Sequence, residues 1–263
     1  MHGLRNHFVI VDGRTEPFRP LAADVVRICD PQIGVGSDQL VVLEPSERDA
    51  DLFMRLYNPD GTPAEACGNA TRCVAWLLFG ERSTGRVRIE TLAGVLDCRR
   101  IGDRQVSCDM GPVSMDWRDV PLSEERDTLS LDLTVGHLAN PMALSVGNPH
   151  VVFFVDDVDK VDLEALAPAV QRHSLFPESV NVGVAMGLSD SRIRLRVYER
   201  GAGLTQACGS GACAAAFAAR ARGVASANHI VVEQPGGDVG IAIDEEGHAI
   251  MSGPVGYCFH GTL

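Results

Sequence analysis

Residues 66–79 read Ala66-Cys67-Gly68-Asn69-Ala70-Thr71-Arg72-Cys73-Val74-Ala75-Trp76-Leu77-Leu78-Phe79. The chain repeats this pattern 141 positions later, with Ala207-Cys208-Gly209 followed by an alanine-rich run over residues 212–222. Both runs have the composition of a helix, and a glycine, Gly80 or Gly223, follows each of them as a stop signal. Helices that are apolar nearly all round are buried. The sequence therefore predicts two buried helices, each beginning just after a Cys-Gly pair.

The repeat extends well beyond these two helices, which indicates an internal duplication. Arg55-Leu56-Tyr57-Asn58 matches Arg196-Val197-Tyr198-Glu199 at an offset of 141, Ile89-Glu90-Thr91 matches Val232-Glu233-Gln234 at 143, and Gly111-Pro112-Val113 matches Gly253-Pro254-Val255 at 142. Short β-branched runs bounded by Gly, Pro or Asp predict strands in both halves. These strands cover residues 8–11, 40–43, 87–90, 151–155, 193–198 and 229–233, with further amphipathic helices at 20–29 and 163–173.

The pattern predicts an α/β (α+β) protein of two pseudo-symmetric domains. In each domain we expect a curved, mostly antiparallel sheet wrapped around the central helix. Little of the stretch 116–138 matches the first half, so we expect one domain at residues 1–117 and the other at residues 118–263. We expect that the last residues of the chain can pair with the N-terminal domain.

Composition excludes several classes of function. The net charge is −12, which argues against nucleic acid as a partner, because phosphate binding needs clustered Lys and Arg. No apolar stretch approaches the roughly 20 residues needed to cross a bilayer, and the N-terminus lacks the pattern of a secretion signal. We therefore expect a protein that is cytoplasmic, does not contact the membrane, and has its eight cysteines reduced.

Lysine is almost absent, which bears on cofactor use. The only lysine is Lys160, within the acidic run Asp156-Asp157-Val158-Asp159-Lys160. Such surroundings keep an ammonium protonated, whereas a Schiff-base lysine needs a lowered pKa. The chain is therefore expected to work without pyridoxal phosphate.

The two repeated cysteines are candidates for acid and base catalysis. A thiol beside the first turn of a helix lies close to unpaired N–H groups and to the positive end of the helix dipole, a setting that lowers a thiol pKa. The small residues after each cysteine leave these N–H groups open to a carboxylate as well. Epimerisation of an amino acid removes a proton from one face of a carbon and returns one to the other face, which requires two such groups. The sequence therefore predicts that Cys67 and Cys208 act as a pair.

The sequence resembles the diaminopimelate epimerase family along essentially its whole length. The matching motifs are His2-Gly3-Leu4-Arg5-Asn6, Gly34-Val35-Gly36-Ser37-Asp38-Gln39, Tyr57-Asn58-Pro59-Asp60-Gly61, Ala66-Cys67-Gly68-Asn69-Ala70-Thr71-Arg72-Cys73, Gly147-Asn148-Pro149-His150, Val180-Asn181, Tyr198-Glu199-Arg200-Gly201-Ala202-Gly203 and Gln206-Ala207-Cys208-Gly209-Ser210-Gly211. So many motifs in the same order are specific as a set.

The resemblance implies interconversion of LL- and meso-diaminopimelate in lysine and peptidoglycan-precursor synthesis, without cofactor, and a homodimer. It implies Cys67 and Cys208 as the acid/base pair. It implies a small-molecule substrate, diaminopimelate, bound by Asn6, Gln39, Asn58, Gly68, Asn69, Asn148, Asn181, Glu199, Arg200, Gly209 and Ser210, with His150 in a supporting role near the thiols. Three positions depart from the family pattern, namely Arg5 and Ala70, where Gly is common, and Leu204, where a polar residue is common.

Alternative interpretations are weaker. No Cys-x-x-Cys or His-x-x-x-His spacing is present, so a zinc site is not expected. The other six cysteines, at positions 29, 73, 98, 108, 213 and 258, are expected to be small buried hydrophobic residues. Other functions open to this pattern are a cysteine-pair racemase for proline, hydroxyproline or a basic amino acid, an isomerase of the phenazine-pathway type, and a catalytically inactive binding protein. The last two should lack the thiol pair.

Overall fold

The computed structural model describes residues 1–262, which divide into two compact units. Unit 1 comprises residues 1–109 together with 252–262, and unit 2 comprises residues 110–251. The two division points fall inside strands Gln105–Pro112 and His248–Pro254. The sequence match predicts a domain boundary between residues 117 and 118. That boundary stays a prediction.

The first ten elements form unit 1. They are β1 (His2–Gly3), β2 (Asn6–Asp12), α1 (Ala22–Cys29), β3 (Gln39–Glu44), β4 (Leu52–Tyr57), β5 (Pro63–Ala64), α2 (Gly68–Arg82), β6 (Arg86–Thr91), β7 (Gly94–Gly102) and β8 (Gln105–Pro112), of which β8 continues into unit 2. The parallel pairs β2–β3 and β4–β6 need crossover connections, and α1 and α2 supply them. The pairs β1–β2, β3–β4, β4–β5, β6–β7 and β7–β8 are antiparallel.

Unit 2 contains the same series again. Its elements are β9 (Thr134–Val135), β10 (Leu138–Ala139), β11 (Met142–Ser145), β12 (Pro149–Phe154), α3 (Leu163–Gln171), β13 (Asn181–Ser189), β14 (Arg192–Glu199), β15 (Gly203–Leu204), α4 (Gly209–Ala221), β16 (His229–Gln234), β17 (Gly237–Ile243) and β18 (His248–Pro254), of which β18 ends in unit 1. The pairs β12–β13 and β14–β16 are parallel, as their counterparts are in unit 1. This pair-by-pair match confirms the duplicated, mostly antiparallel fold, and the short hairpin β9–β10 is an addition to unit 2.

The central helices are buried, as predicted. Helix α2 packs against β1, β2, β6 and β7, and α4 packs against six strands from β11 to β17. The predicted stop at Gly223 is confirmed, since α4 ends at Ala221 and Gly223 has a left-handed φ of 69°. The predicted stop at Gly80 is wrong: α2 continues to Arg82, and Ser83 is the residue that ends it, with a φ of 50°. A glycine within a buried helix costs only about 1 kcal/mol, which packing of the surrounding apolar residues outweighs.

No helix within residues 1–262 is both long enough and apolar enough to cross a membrane.

The turn between β1 and β2 presents Asn6 to the start of α2. Gly3 pairs with Asn6, so the turn itself contains only Leu4 and Arg5, whose φ angles are 55° and 62°. A two-residue turn with two positive φ angles is a type I′ turn, which favours Gly, Asn and Asp. Arg5 therefore occupies a position where glycine would be less strained.

We expect Arg5→Gly to raise the free energy of unfolding by about 1 kcal/mol, because left-handed backbone costs an L-residue roughly 1–2 kcal/mol that glycine does not incur. Urea denaturation of the two proteins measures this difference. Arg19→Gly is a matched control, since Arg19 is also exposed but has a negative φ. The control should be neutral or destabilising. A lower unfolding free energy for Arg5→Gly than for the unmodified chain would contradict the assignment of strain.

Candidate active site

Cys67 lies at the start of α2 and contacts the β1–β2 turn. It is the N-cap residue, with extended backbone at φ −146° and ψ 110°, so Gly68 is the first helical residue. The thiol donates to Asn6 Oδ1 at 3.7 Å, and Asn69 Nδ2 donates to the same oxygen at 3.3 Å. The structure thus brings Asn6, Cys67, Gly68 and Asn69 together, with the Cys67 side chain partly exposed.

Gln39 and Asn58 form a second polar group in unit 1, at the adjoining ends of β3 and β4. Gln39 Nε2 donates to Asn58 Oδ1 at 3.2 Å, and Asn58 Nδ2 donates to Thr62 Oγ1 at 3.2 Å. Gln39 Oε1 is buried and has no hydrogen-bond partner within residues 1–262. A buried acceptor without a donor is costly, so this oxygen is suited to accept a hydrogen bond from a bound molecule.

Cys208 is the N-cap residue of α4 in unit 2 and is more deeply buried than Cys67. Its sulfur accepts from the Gly211 N–H at 3.4 Å and lies 3.7 Å from Ser210 Oγ. Its backbone N–H donates to Gln234 Oε1 at 2.8 Å. Gly209 begins the helix, and the Cys208 residue is only 5% exposed. The sulfur of Cys208 is therefore a capping group as well as a candidate reactant.

His150 joins two of the predicted substrate-binding residues. Its Nε2 lies 3.0 Å from Asn148 Oδ1 and 3.0 Å from Ser210 Oγ. Burial, together with the positive charge of Arg200, lowers the pKa of His150 to about 3. The imidazole is therefore neutral at physiological pH and connects Asn148 to Ser210 without adding a charge beside Cys208.

Glu199 is the carboxylate beside the Cys208 thiol. Thr205 Oγ1 donates to its Oε1 at 2.5 Å, and the thiol of Cys208 also hydrogen-bonds to it. Burial raises the pKa of Glu199, and these two hydrogen bonds act against that rise. The carboxylate is held in place by Thr205, so its charge acts on Cys208 from a fixed position.

The pKa of Cys208 differs from the sequence-based expectation. Burial, followed by the negative charge of Glu199, raises this pKa well above its usual value, while the Gly211 N–H and Ser210 lower it. The predicted lowering by the helix start is therefore wrong for Cys208 in this structure. Desolvation of a thiolate outweighs the field of a helix N-terminus, and burial is not visible in a local sequence motif.

Asn181 and Arg200 are linked to each other through the backbone. Asn181 Nδ2 donates to the Pro149 carbonyl at 2.9 Å, and its Oδ1 accepts from the Arg200 N–H at 2.9 Å. The Arg200 side chain is exposed and donates to the Glu178 carbonyl at 3.0 Å. Asn181 thus fixes the backbone that carries Arg200, whose guanidinium is accessible to a ligand.

Three residues at these sites were not selected from the sequence, namely Arg72, Thr205 and Gln234. Arg72 is fully buried and donates to Asn69 Oδ1 at 2.7 Å. Thr205 and Gln234 contact Glu199 and the Cys208 N–H respectively. Gln234 falls on Thr91 in the duplication, at an offset of 143, and this position carries no signal in the sequence that marks it as part of a site.

The remaining cysteines are buried, with one exception. Cys29, Cys73, Cys98, Cys108 and Cys213 are buried as predicted, but Cys258 is exposed because it follows the last strand of the chain. Burial raises the pKa of Cys73 to about 12. Such a thiol is a poor nucleophile at neutral pH.

Two further observations concern metals and cofactors. Within residues 1–262, no three or more His, Cys, Asp or Glu side chains are grouped so that they could hold a metal ion. Lys160 lies on an exposed face with its ammonium 3.2 Å from the Asp157 carboxylate, as the acidic run predicted.

Comparisons with known proteins agree with the arrangement of these motifs. The model of the diaminopimelate epimerase family matches residues 1–116 and 142–258. A diaminopimelate epimerase of Rhodospirillum centenum is 47% identical over all of this chain and 90% of its own length, and one of Phenylobacterium zucineum is 48% identical over all of this chain and 96% of its own length.

The fold is shared more widely. The crystal structure of a probable proline racemase of Agrobacterium radiobacter K84, with bound carbonate, has a TM-score of 0.68 over 96% of this chain and 88% of that chain, at 16% sequence identity. That likeness concerns the fold alone. The matches in sequence go further, since they cover both Cys-Gly helix starts and the polar residues around them. The chain belongs to the diaminopimelate epimerase family, a family of isomerases.

Proposed function

We propose that this protein interconverts LL- and meso-diaminopimelate without a cofactor, and that Cys67 and Cys208 are the two acid/base groups. The observation that carries the proposal is the pair of thiols at the N-caps of repeat-equivalent buried helices. The activity follows the names of the relatives that match the whole chain. A role in lysine and peptidoglycan-precursor synthesis, a cytoplasmic location and a homodimer belong to the same proposal.

In the proposed reaction, a thiolate of one cysteine removes the α-proton of the substrate. The thiol of the other cysteine donates its proton to the opposite face of the same carbon, so the protein ends with the two protonation states exchanged. The reverse reaction uses the same groups with their roles exchanged. The proposal requires both sulfurs to reach that carbon when the substrate is bound.

The helix starts supply the second part of the mechanism. Removal of the α-proton places negative charge on the adjacent carboxylate, and backbone N–H groups at a helix N-terminus stabilise such charge. Residues Gly68 and Asn69 in unit 1, and Gly209 and Ser210 in unit 2, are the first two helical residues after each thiol. Their N–H groups are the ones that we propose bind the reacting carboxylate.

The distal end of the substrate carries a second amine and a second carboxylate. In unit 2, Glu199 suits the distal amine of the substrate, and the exposed guanidinium of Arg200 suits its distal carboxylate. Gln39 Oε1 and the amides of Asn58 and Asn148 add acceptors and donors that can fix the orientation of the substrate. A substrate without a charged side chain would leave these groups unpaired.

The proposal is tested by incubating the purified protein in heavy water with LL-diaminopimelate, L-proline or L-lysine. We expect deuterium to enter the α-position of diaminopimelate, together with formation of the meso isomer, and expect no exchange of proline or lysine. Mass spectrometry and chiral chromatography measure the two events. Faster exchange of proline than of diaminopimelate would contradict the assigned substrate, and exchange of none of the three would contradict the assigned chemistry.

A further inference from the structure

A fully buried arginine lies in the second turn of α2. Arg72 has no exposed surface, although it carries a guanidinium that is charged at any physiological pH. Removal of a charge from water is costly, so buried charges are paired or hydrogen-bonded and are retained for a reason. The partners of Arg72 indicate what that reason is.

Arg72 is connected to the Cys67 thiol through two amide side chains. Its Nη2 donates to Asn69 Oδ1 at 2.7 Å, and Asn69 Nδ2 donates to Asn6 Oδ1 at 3.3 Å. The Cys67 thiol donates to that same Asn6 oxygen at 3.7 Å. A guanidinium can only donate, so it fixes the Asn69 amide with its oxygen towards Arg72 and its NH₂ group towards Asn6. Asn6 then presents its oxygen to the sulfur, and its NH₂ group donates to Asp38 Oδ2 at 3.2 Å, which favours the same orientation.

Gly3 of strand β1 packs directly against this group. A Cβ atom at Gly3 would lie 3.2 Å from Asn69 Cβ and 3.4 Å from Arg72 Nη2. Contacts this short are tighter than packed side chains normally make, so a side chain at position 3 would crowd Asn69 and Arg72. The guanidinium and the Asn69 amide are therefore confined from the side of β1 as well as by hydrogen bonds.

The duplicated half lacks this cation. At the offset of 141 that relates the two helices, Arg72 corresponds to Cys213 and Asn69 to Ser210. In unit 2 the neutral His150 connects Ser210 to Asn148 instead. The buried charge is thus a feature of the Cys67 half alone, and general helix burial does not require it.

We propose that Arg72 is a positioning residue for Cys67. Through Asn69 and Asn6 it keeps an acceptor oxygen against the thiol, which orients the S–H group and favours its protonated form, whereas the buried positive charge of Arg72 favours the thiolate and outweighs this one long hydrogen bond. The inference rests on the proposed function only in so far as Cys67 is taken as a reacting thiol. The geometry that carries it lies entirely within unit 1.

The test is the rate at which Cys67 is alkylated by iodoacetamide as a function of pH, measured by mass spectrometry of the digested protein. Arg72→Met removes the charge and the donor but fills the same space, an exchange that buried ion sites often tolerate. We expect alkylation of Cys67 at neutral pH to be slowed about tenfold, with its pH midpoint moved upward. Arg72→Lys keeps a charge and a donor, so it should recover part of the rate.

A second pair of variants tests the route of the effect. Asn69→Ala keeps the charge of Arg72 and releases only the acceptor, so it should not slow alkylation of Cys67, whereas adding Arg72→Met to Asn69→Ala should still slow it. If Arg72→Met does not fold, Arg72→Gln removes the charge but keeps an N–H donor for Asn69 Oδ1, and it replaces Arg72→Met in both backgrounds. Cys213→Ala, at the equivalent position of α4, should leave the alkylation of Cys67 unchanged.

Turnover gives an independent measurement. We expect kcat of Arg72→Met to fall by up to about 100-fold, the effect of a displaced reacting group, and to fall by a larger factor than KM rises. A folded Arg72→Met variant with an unchanged alkylation profile would overturn the proposal, and so would Asn69→Ala slowing the alkylation of Cys67 as much as Arg72→Met does. If Cys67→Ala kept full epimerase activity, the proposed function would fail, but the alkylation profiles would still decide the role of Arg72.

Discussion

Replacement of Cys67 or of Cys208 by alanine is expected to slow epimerisation by about 10⁴-fold, the upper range for loss of a general acid or base. In a two-base reaction each thiol is indispensable, because one alone cannot serve both faces of the carbon. The measurement is conversion of LL- to meso-diaminopimelate followed by chiral chromatography. Each single variant should be as inactive as the double variant, since the two thiols act as a unit.

The structure sets the controls for this experiment. The Cys208 sulfur caps the Gly211 N–H, so Cys208→Ala should also lose about 1 kcal/mol of stability. Cys208→Ser keeps a capping oxygen and should recover the stability without recovering activity. Cys213→Ala removes a buried thiol from the same helix and should remain active. Full activity of Cys67→Ala or of Cys208→Ala would contradict the two-base scheme.

Much of the fold could be predicted because the duplication doubles every local signal. A Cys-Gly pair followed by an apolar run is a weak pattern once, but its recurrence at 141 residues indicates two equivalent helices. The stop at Gly80 was mispredicted because a local rule competes with packing. Residues Leu78 and Phe79 are buried against the sheet, so the helix continues past Gly80.

The candidate site was only partly predictable, for a physical reason. Motifs identify residues by their chemistry, whereas the partners of each residue depend on segments far apart in the chain. Gln234 reaches the Cys208 N–H across 26 positions, and Asn6 reaches Cys67 across 61. Burial is likewise a property of the folded chain, and it is what raises the pKa of Cys208 above the value expected for a helix start.

Glu199→Gln is expected to speed the alkylation of Cys208 but to slow epimerisation. The negative charge of Glu199 raises the pKa of the Cys208 thiol, so its removal should lower that pKa and speed alkylation of Cys208. Epimerisation should nevertheless slow by roughly 10²-fold, because Cys208 is then less readily kept protonated as the acid and a proposed partner of the substrate amine is lost. Mass spectrometry after a short iodoacetamide pulse measures the first effect, and chiral chromatography the second.

The pH dependence of the first effect separates this interpretation from a general loss of structure. Disorder around Cys208 would speed alkylation at every pH, whereas a lowered pKa speeds it most on the acidic side of the titration and leaves the alkaline plateau unchanged. Glu164→Gln removes an exposed carboxylate from α3 and should alter neither measurement. Glu199→Asp keeps the charge and should leave Cys208 slow to react. Slower alkylation of Cys208 in Glu199→Gln would mean that the carboxylate promotes the thiolate, which is the opposite of what its position beside a buried thiol implies.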